Sequence, residues 1–192
     1  MKKTFKAKLL TIFGDIKLQK WPPFIYYEPG DYYKITGDQT MTLLKMLQPG
    51  DILARGYRNY LDGKFIPGKY SHTGVYVGDG KVIHAIAEGV TECSLIDFCR
   101  CDRLAVVKPL KGQEEAIKFL KEQLGKPYDF DFTADNEAFY CHELCAKAYS
   151  MCKIPMIVPY LGPITFFKME PKFLAESFFK SSDFRVMAEL GI

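Results

Sequence analysis

No stretch of this 192-residue chain approaches the roughly 20 consecutive apolar residues of a membrane-spanning helix. Charge of one sign is scarce as well. The 26 basic and 23 acidic residues leave a net charge of +3, and the basic residues cluster on no single face, so nucleic acid is not an expected partner. A phosphate-cradling loop is missing, because "VGDGKV" lacks the residues of a P-loop and falls where a hairpin turns. Six cysteines are present, yet none forms a C-x2-4-C knuckle. "CSLIDFCRC" spaces Cys93, Cys99 and Cys101 as C-x5-C-x-C. Zinc held by these three and His84 is the lesser reading beside reduced, half-buried thiols, and no metal or other cofactor is expected. Lys6 and Lys8 break the apolar residues of the N-terminus, and no small-residue cleavage site follows. A secretory leader is therefore not expected, and a cytoplasmic location with free thiols is the default. Internal repeats and low-complexity segments are absent.

What is present is a core-forming composition, 48% hydrophobic and 15% aromatic. It suits one domain over residues 1–192, with a catalytic core of about 49–150 and aromatic terminal segments packed around it. Phe5, Leu9, Ile12, Phe13 and Ile16 recur at helical spacing, which predicts a short amphipathic helix packed on the domain; contact with a membrane surface is the weaker reading. "WPPFIYYEPGDYY" (Trp21–Tyr33) reads as an extended connection and not a strand. A short helix is expected over Thr40–Leu47 and strands over Asp51–Tyr57 and Leu104–Leu110. A helix over Gly112–Gly125 carries acids early, Lys121 late and a glycine stop. Two β-rich runs flank "GDG" within His72–Ala87, a hairpin signature. "AFYCHELCAKAYSMC" (Ala138–Cys152) reads as a second helix and the tail from Pro155 as aromatic and proline-interrupted. Together these predict an α+β fold with an antiparallel sheet packed against helices.

Two segments carry the chemistry. Asp135, Asn136 and Glu137 offer caps before the second helix, which places Cys141 in its first turns. There the helix dipole favours a thiolate near neutral pH. Cys145 and Cys152 fall deeper on the same face and read as core thiols. His142 is adjacent to Cys141, and adjacent helical residues point about 100° apart. It is rejected as the base and expected to be partly exposed or capping. The remaining histidines, His72 and His84, lie in the hairpin. A two-residue loop at Asp79-Gly80 sets His84 opposite Val75, away from His72. A three-residue loop that pairs Val77 with Lys81 sets it opposite Gly74, diagonal to His72 on one face. The second geometry permits a Cys–His pair oriented by His84 or by Glu88.

These residues resemble a family. "PGDILARG…SHTGVYVGDGKVIHA…GKPYDFDF…FYCHELCAKAY" is similar to the circularly permuted, papain-like hydrolases of the NlpC superfamily, in particular the YiiX-like group. The resemblance runs from roughly Pro49 to Ser150. It implies a permuted papain-like fold with Cys141 as nucleophile and His72 as base. It supports Tyr128 as a second oxyanion donor beside the backbone N–H of Cys141; Tyr140 is a further candidate for an oxyanion or substrate contact. In that group the third position is commonly Glu, whereas His84 stands here. A His–His–Cys set resembles the lecithin retinol acyltransferase branch. Glu88 replaces His84 as the orienting residue only if the strand bends. The expected activity is a cysteine hydrolase cleaving peptide-like or isopeptide amides through a thioester. The alternatives are a lipid-directed thiol acyltransferase or esterase, and a degenerate protein that only binds a ligand. Arg55, Tyr57 and Arg58 in "ARGYRNY" suit recognition of a substrate carboxylate, although a solvated loop is the plainer reading.

Overall fold

The computed structural model describes residues 5, 16–20, 23–27, 34–58, 66, 68–132, 137–159 and 170–191. A six-stranded sheet forms the centre, in the order β6-β5-β4-β3-β7-β8. Its strands are β3 (Ile52–Gly56), β4 (His72–Gly78), β5 (Lys81–Ile86), β6 (Gly89–Ser94), β7 (Arg103–Pro109) and β8 (Phe184–Leu190). Every neighbouring pair is antiparallel. The helices with described bounds are α1 (Gly37–Met46), α2 (Leu95–Phe98), α3 (Gln113–Glu122), α4 (Cys141–Ala148) and α5 (Ala175–Lys180). The expected α+β class and antiparallel sheet are the architecture found. Among the described residues no helix is long and apolar enough to cross a membrane.

The N-terminal expectations need correction. Ile16–Lys20 forms β1 and pairs antiparallel with β2, Pro23–Tyr27, inside the segment read as a connection. The strand preference of Phe24, Ile25, Tyr26 and Tyr27 prevails, and Pro23 occupies the first strand position, where no ladder donor is required. Of the expected amphipathic helix, Phe5 is helical and exposed, Ile16 opens a strand, and Leu9, Ile12 and Phe13 lie outside the described residues.

Alternation along the strands splits the core between the two faces of the sheet. Ile52, Val75, Ile83, Ala85 and Val107 pack beneath α3 and α4, against Ala116, Leu120, Leu144, Cys145 and Ala148. Leu53, Tyr76, Val82, Leu104 and Val106 face the other way, onto Leu43 and Leu47 near α1 and Leu95 and Phe98 of α2. Truncating Leu144, which is fully buried, to alanine is expected to destabilise the fold by about 2–5 kcal/mol, read as a shift of the denaturation midpoint. Cys145 and Cys152 both belong to the first cluster. The C-terminal end of α4 is tied down by the Tyr149 hydroxyl, which donates to the Gly50 carbonyl.

The β4–β5 hairpin reaches the register that joins the two histidines by a route other than the three-residue loop. Its turn has two residues, Asp79 and Gly80, both left-handed (φ 50° and 68°), and Gly78 pairs with Lys81. A bulge between Tyr76 and Gly78 then absorbs Val77, so that His84 lies opposite Gly74. Gly74 has to be small. A Cβ there would lie 2.8 Å from both the Phe98 ring and Val82, and 3.1 Å from His84 Cβ. Gly74→Ala is expected to displace His84 and Phe98 and to destabilise by about 1–3 kcal/mol, measured by urea denaturation.

Candidate functional site

Cys141 is the first residue of α4. Tyr140 is its N-cap in extended conformation (φ −87°, ψ 164°), and no side chain caps the first-turn amides. The helix therefore starts at the thiol, not at Ala138, and ends before Cys152. The capping expected of Asp135–Glu137 is corrected. Asp135 and Asn136 lie outside the described residues, and Glu137 stands three positions before the N-cap. The backbone gives the reason. Phe139 N–H donates to the Pro127 carbonyl at 3.1 Å, and the Phe139 carbonyl accepts from Asp129 N–H at 3.2 Å. The approach to α4 is thus paired with residues 127–129 and cannot coil. The same pairing brings the buried Tyr128 hydroxyl against Cys141, where both the thiol and the backbone act on it. Burial first, then the neighbouring Cys141, holds the Tyr128 phenol protonated far above its ordinary range. The Tyr140 hydroxyl accepts the Phe173 N–H at 3.0 Å.

Burial pushes the Cys141 thiol up to about 11, despite hydrogen bonding from the backbone of Thr73 and His142. A resting thiolate, expected from the helix dipole, is not what this environment favours: desolvation outweighs the dipole. Thr73 Oγ1 donates to the Cys141 carbonyl at 3.2 Å and stands 3.0 Å from His142 Nδ1. That same Nδ1 is 3.7 Å from Cys141 Sγ. His142 is only 3% exposed, so it is neither partly exposed nor a cap. The angular argument against contact with Cys141 fails because the sulfur is large and Thr73 holds the ring over it. Burial lowers the His142 pKa to about 3.

His72 opens β4 and His84 sits in β5. Their rings meet edge to face, with His72 Nε2 2.9 Å from His84 Nδ1. Phe98 backs both rings. Arg55, opposite His72 in the β3–β4 register, lies over Phe98 at 4.6 Å and donates to its carbonyl at 3.3 Å. Burial and then the Arg55 charge depress both histidines, His84 to about 3 and His72 well below its usual range. Glu88 is exposed in the β5–β6 turn, and the partner of the His72 ring is His84. Arg55 and Arg58 do not form a solvated loop, since Arg58 donates to the Gly191 carbonyl at 2.9 Å. The effect of Arg55 on the two histidines depends on the β3–β4 register, which no local motif encodes.

The structure therefore joins His72 to His84, and Cys141 to Thr73, His142 and Tyr128. No hydrogen bond links His72 to the Cys141 thiol: Thr73 bonds Cys141 and His142 on the α4 side of the sheet, whereas the His72 ring packs on His84 and Phe98, on the α2 side. Cys141, His142, Tyr128 and Tyr140 also line a cavity of about 150 Å³. Among the described residues no three His, Cys, Asp or Glu side chains are grouped to hold a metal ion. All six cysteines are free.

The buried neutral groups set a pH window for stability. His84 and His142 titrate at about 3 in the fold against an ordinary 6.5. Above pH 6.5 both are neutral in either state, and their contribution is complete. As the pH falls from 6.5 towards 3, the unfolded chain binds protons that the native state refuses. Each histidine then forfeits on the order of 1.4 kcal/mol per pH unit. Cys141 and Cys145 are raised from 9.0 to about 11 and about 12, so stability falls again as the pH rises above 9. Thermal melts from pH 4 to 10 are expected to give a plateau between about 6.5 and 9 with a steep acid limb. A constant Tm from pH 4 to 6.5 would contradict buried neutral histidines.

Residues 46–186 match the Peptidase_C92 family, described as permuted papain-like amidase enzymes of the YaeF/YiiX type. A search of curated proteins finds no match. Among solved structures, the chain is similar to the metalloprotein YiiX from Escherichia coli O157:H7, with a TM-score of 0.56 and 21% identity over 73% of this chain and 96% of that one. At that identity the likeness speaks for the fold, whereas the family match spans most of the chain and gives its class, a cysteine hydrolase. The chain belongs to the permuted papain-like amidase family.

Proposed function

We propose that this protein hydrolyses peptide-like or isopeptide amides, with Cys141 as nucleophile and His72, oriented by His84, as base and acid. The observation that supports this reading is the 2.9 Å contact between His72 Nε2 and His84 Nδ1. It holds the His72 ring beside Phe98, on the face of the sheet opposite Thr73 and Cys141, so His72 serves the sulfur by turning about its side-chain bonds at the first position of β4. A single proton lies between the two rings. When His72 Nε2–H donates it, His72 Nδ1 is left bare and able to accept the thiol proton. His84 then receives a hydrogen bond that strengthens as His72 becomes imidazolium. With a thiol near 11 and depressed histidines, the resting pair is neutral, and the proton moves as sulfur attacks the carbonyl carbon. The C–S bond forms, and the carbonyl π pair moves onto oxygen. That oxyanion faces the Cys141 amide and the Tyr128 hydroxyl. Collapse breaks the C–N bond, His72 returns its proton to the amine, and water cleaves the thioester by the same route.

His142 plays a different part. Thr73 has one hydroxyl hydrogen. Given to the Cys141 carbonyl, it leaves Oγ1 to accept from His142 Nδ1–H. The nitrogen nearest the sulfur is then a donor that steadies the thiolate, and not a base. His142→Asn, which retains a donor near Nδ1, is expected to keep most of the alkylation rate of Cys141 by iodoacetamide. His142→Ala is expected to slow it about tenfold at neutral pH and to move its pH profile upward. Equal profiles for both variants count against this role.

Intact-mass spectrometry during turnover of an activated amide tests the whole reading. An acyl adduct confined to Cys141, and absent from Cys141→Ala, is expected; an adduct elsewhere, or none with turnover intact, overturns it. Lipid-directed acyl transfer is the second reading, favoured by histidine at the third position.

A further inference from the structure

The cavity beside Cys141 has walls that select a substrate. It is lined by Ile66, Phe132, Pro159, Phe173 and Leu174, with Cys141, His142, Tyr128 and Tyr140 at the reactive end. Among the described residues Lys172 is the one charged side chain, apart from the titratable groups at the reactive end, in its lining. Its ammonium donates to the Phe132 carbonyl and lies 5.7 Å from the Phe132 ring centre, so it is already engaged. Among the described residues no carboxylate contributes to the wall. A charged group entering beside these side chains would lose its hydration against an apolar surface. The Tyr140 hydroxyl already accepts from Phe173 N–H, and the Tyr128 hydroxyl lies against Cys141. Polar capacity is thus concentrated where a carbonyl would react, and the remainder is apolar.

Neither His72 nor His84 lines the cavity. The leaving group takes its proton from the base and must therefore lie on the side of His72. The part of the substrate in the cavity is the other side of the scissile bond. Resting on the Cys141–His72 reading, we infer that this cavity is an acyl pocket, and that the enzyme acts on substrates whose acyl group is uncharged, apolar and of limited size. A volume near 150 Å³ is of the order that accommodates a benzene-sized group. A phenyl-bearing acyl group or a straight chain of about six carbons fills it; a long fatty chain does not fit within it.

The test uses the full chain and two series of p-nitrophenyl-type esters, which report turnover as colour. In the first, the leaving group is constant and the acyl chain grows from acetyl through hexanoyl to palmitoyl. In the second, the acyl group is acetyl throughout and the phenol carries alkyl substituents of growing length. Each methylene buried is expected to raise kcat/KM about fourfold, giving on the order of a hundredfold from acetyl to hexanoyl, followed by a decline to palmitoyl. The second series is expected to be flat. A flat acyl series, a palmitoyl optimum, or length dependence confined to the phenol overturns the pocket assignment. Leu174→Trp, which narrows the space, is expected to move the optimum to acetyl or propionyl while the secondary structure by circular dichroism is retained. An unmoved optimum also overturns the assignment. Failure of the underlying reading has its own signature: ester turnover that Cys141→Ala leaves unchanged.

Discussion

Cys141→Ala is expected to abolish turnover, with kcat/KM for an activated amide or ester lowered at least 10³-fold. It is expected to do so without unfolding the chain. Cys141 occupies the first position of α4, where the anchoring interactions run through its backbone: Thr73 donates to its carbonyl. Removing one sulfur from a buried position costs about 1–2 kcal/mol of packing, while Leu144 and Cys145 keep the helix seated on the sheet. A variant that is inactive and folded assigns the chemistry to the sulfur. Cys145→Ala and Cys152→Ala provide the contrast. Both residues lie in the core, and they are expected to lower Tm while sparing kcat/KM. A Cys141→Ala variant that retains turnover would remove the proposed mechanism altogether.

His72→Ala is expected to lower kcat by about 10²–10⁴-fold, the range for loss of a general acid–base group. Adding Cys141→Ala to it should lower activity no further, because the two act as a unit. The more discriminating experiment is at His84. Its Nδ1 holds His72 Nε2 at 2.9 Å, and its neutrality gives the imidazolium little support. His84→Leu removes the partner, and kcat is expected to fall while KM holds. His84→Glu supplies a charged acceptor at the same register position. It should stabilise protonated His72, so His72 titrates at higher pH and the acid limb of the kcat/KM profile moves upward. Below that limb His72 is protonated and idle as a base; above it activity is full. A His84→Glu profile identical to wild type would show that His84 does not act through His72. Arg55 bears on the same titration from the opposite direction, since its charge lowers both histidines.

The elements that local chemistry specifies were legible. The β4–β5 hairpin, strands β3 and β7 and helix α3 follow from alternation, from glycine turns and from charge placed along a helix. Face counting allows the pairing of His72 with His84 through a three-residue loop; the two-residue turn and the bulge at Val77 that produce it are not legible. Elements defined by distant partners were not legible. β8 carries Arg185, Val186 and Met187, all exposed, and is a strand because β7 offers it an edge. β6 contains Thr91, Glu92 and Cys93, which carry little strand signal until β5 pairs with them. Helix α4 starts later than its apolar spacing predicts because Phe139 bonds to residues remote in sequence. The contact of His142 with the thiol depends on Thr73, one strand away, which adjacency along a helix does not anticipate.

The bulged Val77 has a consequence for how this hairpin tolerates change. The tight turn alone would place His84 across from Val75, on the core side. Val77 is the extra residue that carries it across from Gly74 instead. The pairing of the two histidines therefore rests on Val77 staying out of the ladder. Deleting the Val77 codon removes a residue already outside it, so Gly78 still meets Lys81, Tyr76 still meets Val82 and His84 still lies across from Gly74. A change that draws Val77 into the ladder instead slips β5 by one residue and sets His84 across from Val75, on the core side. The hairpin is thus expected to tolerate loss of this residue and to lose the histidine pair when the bulge is straightened.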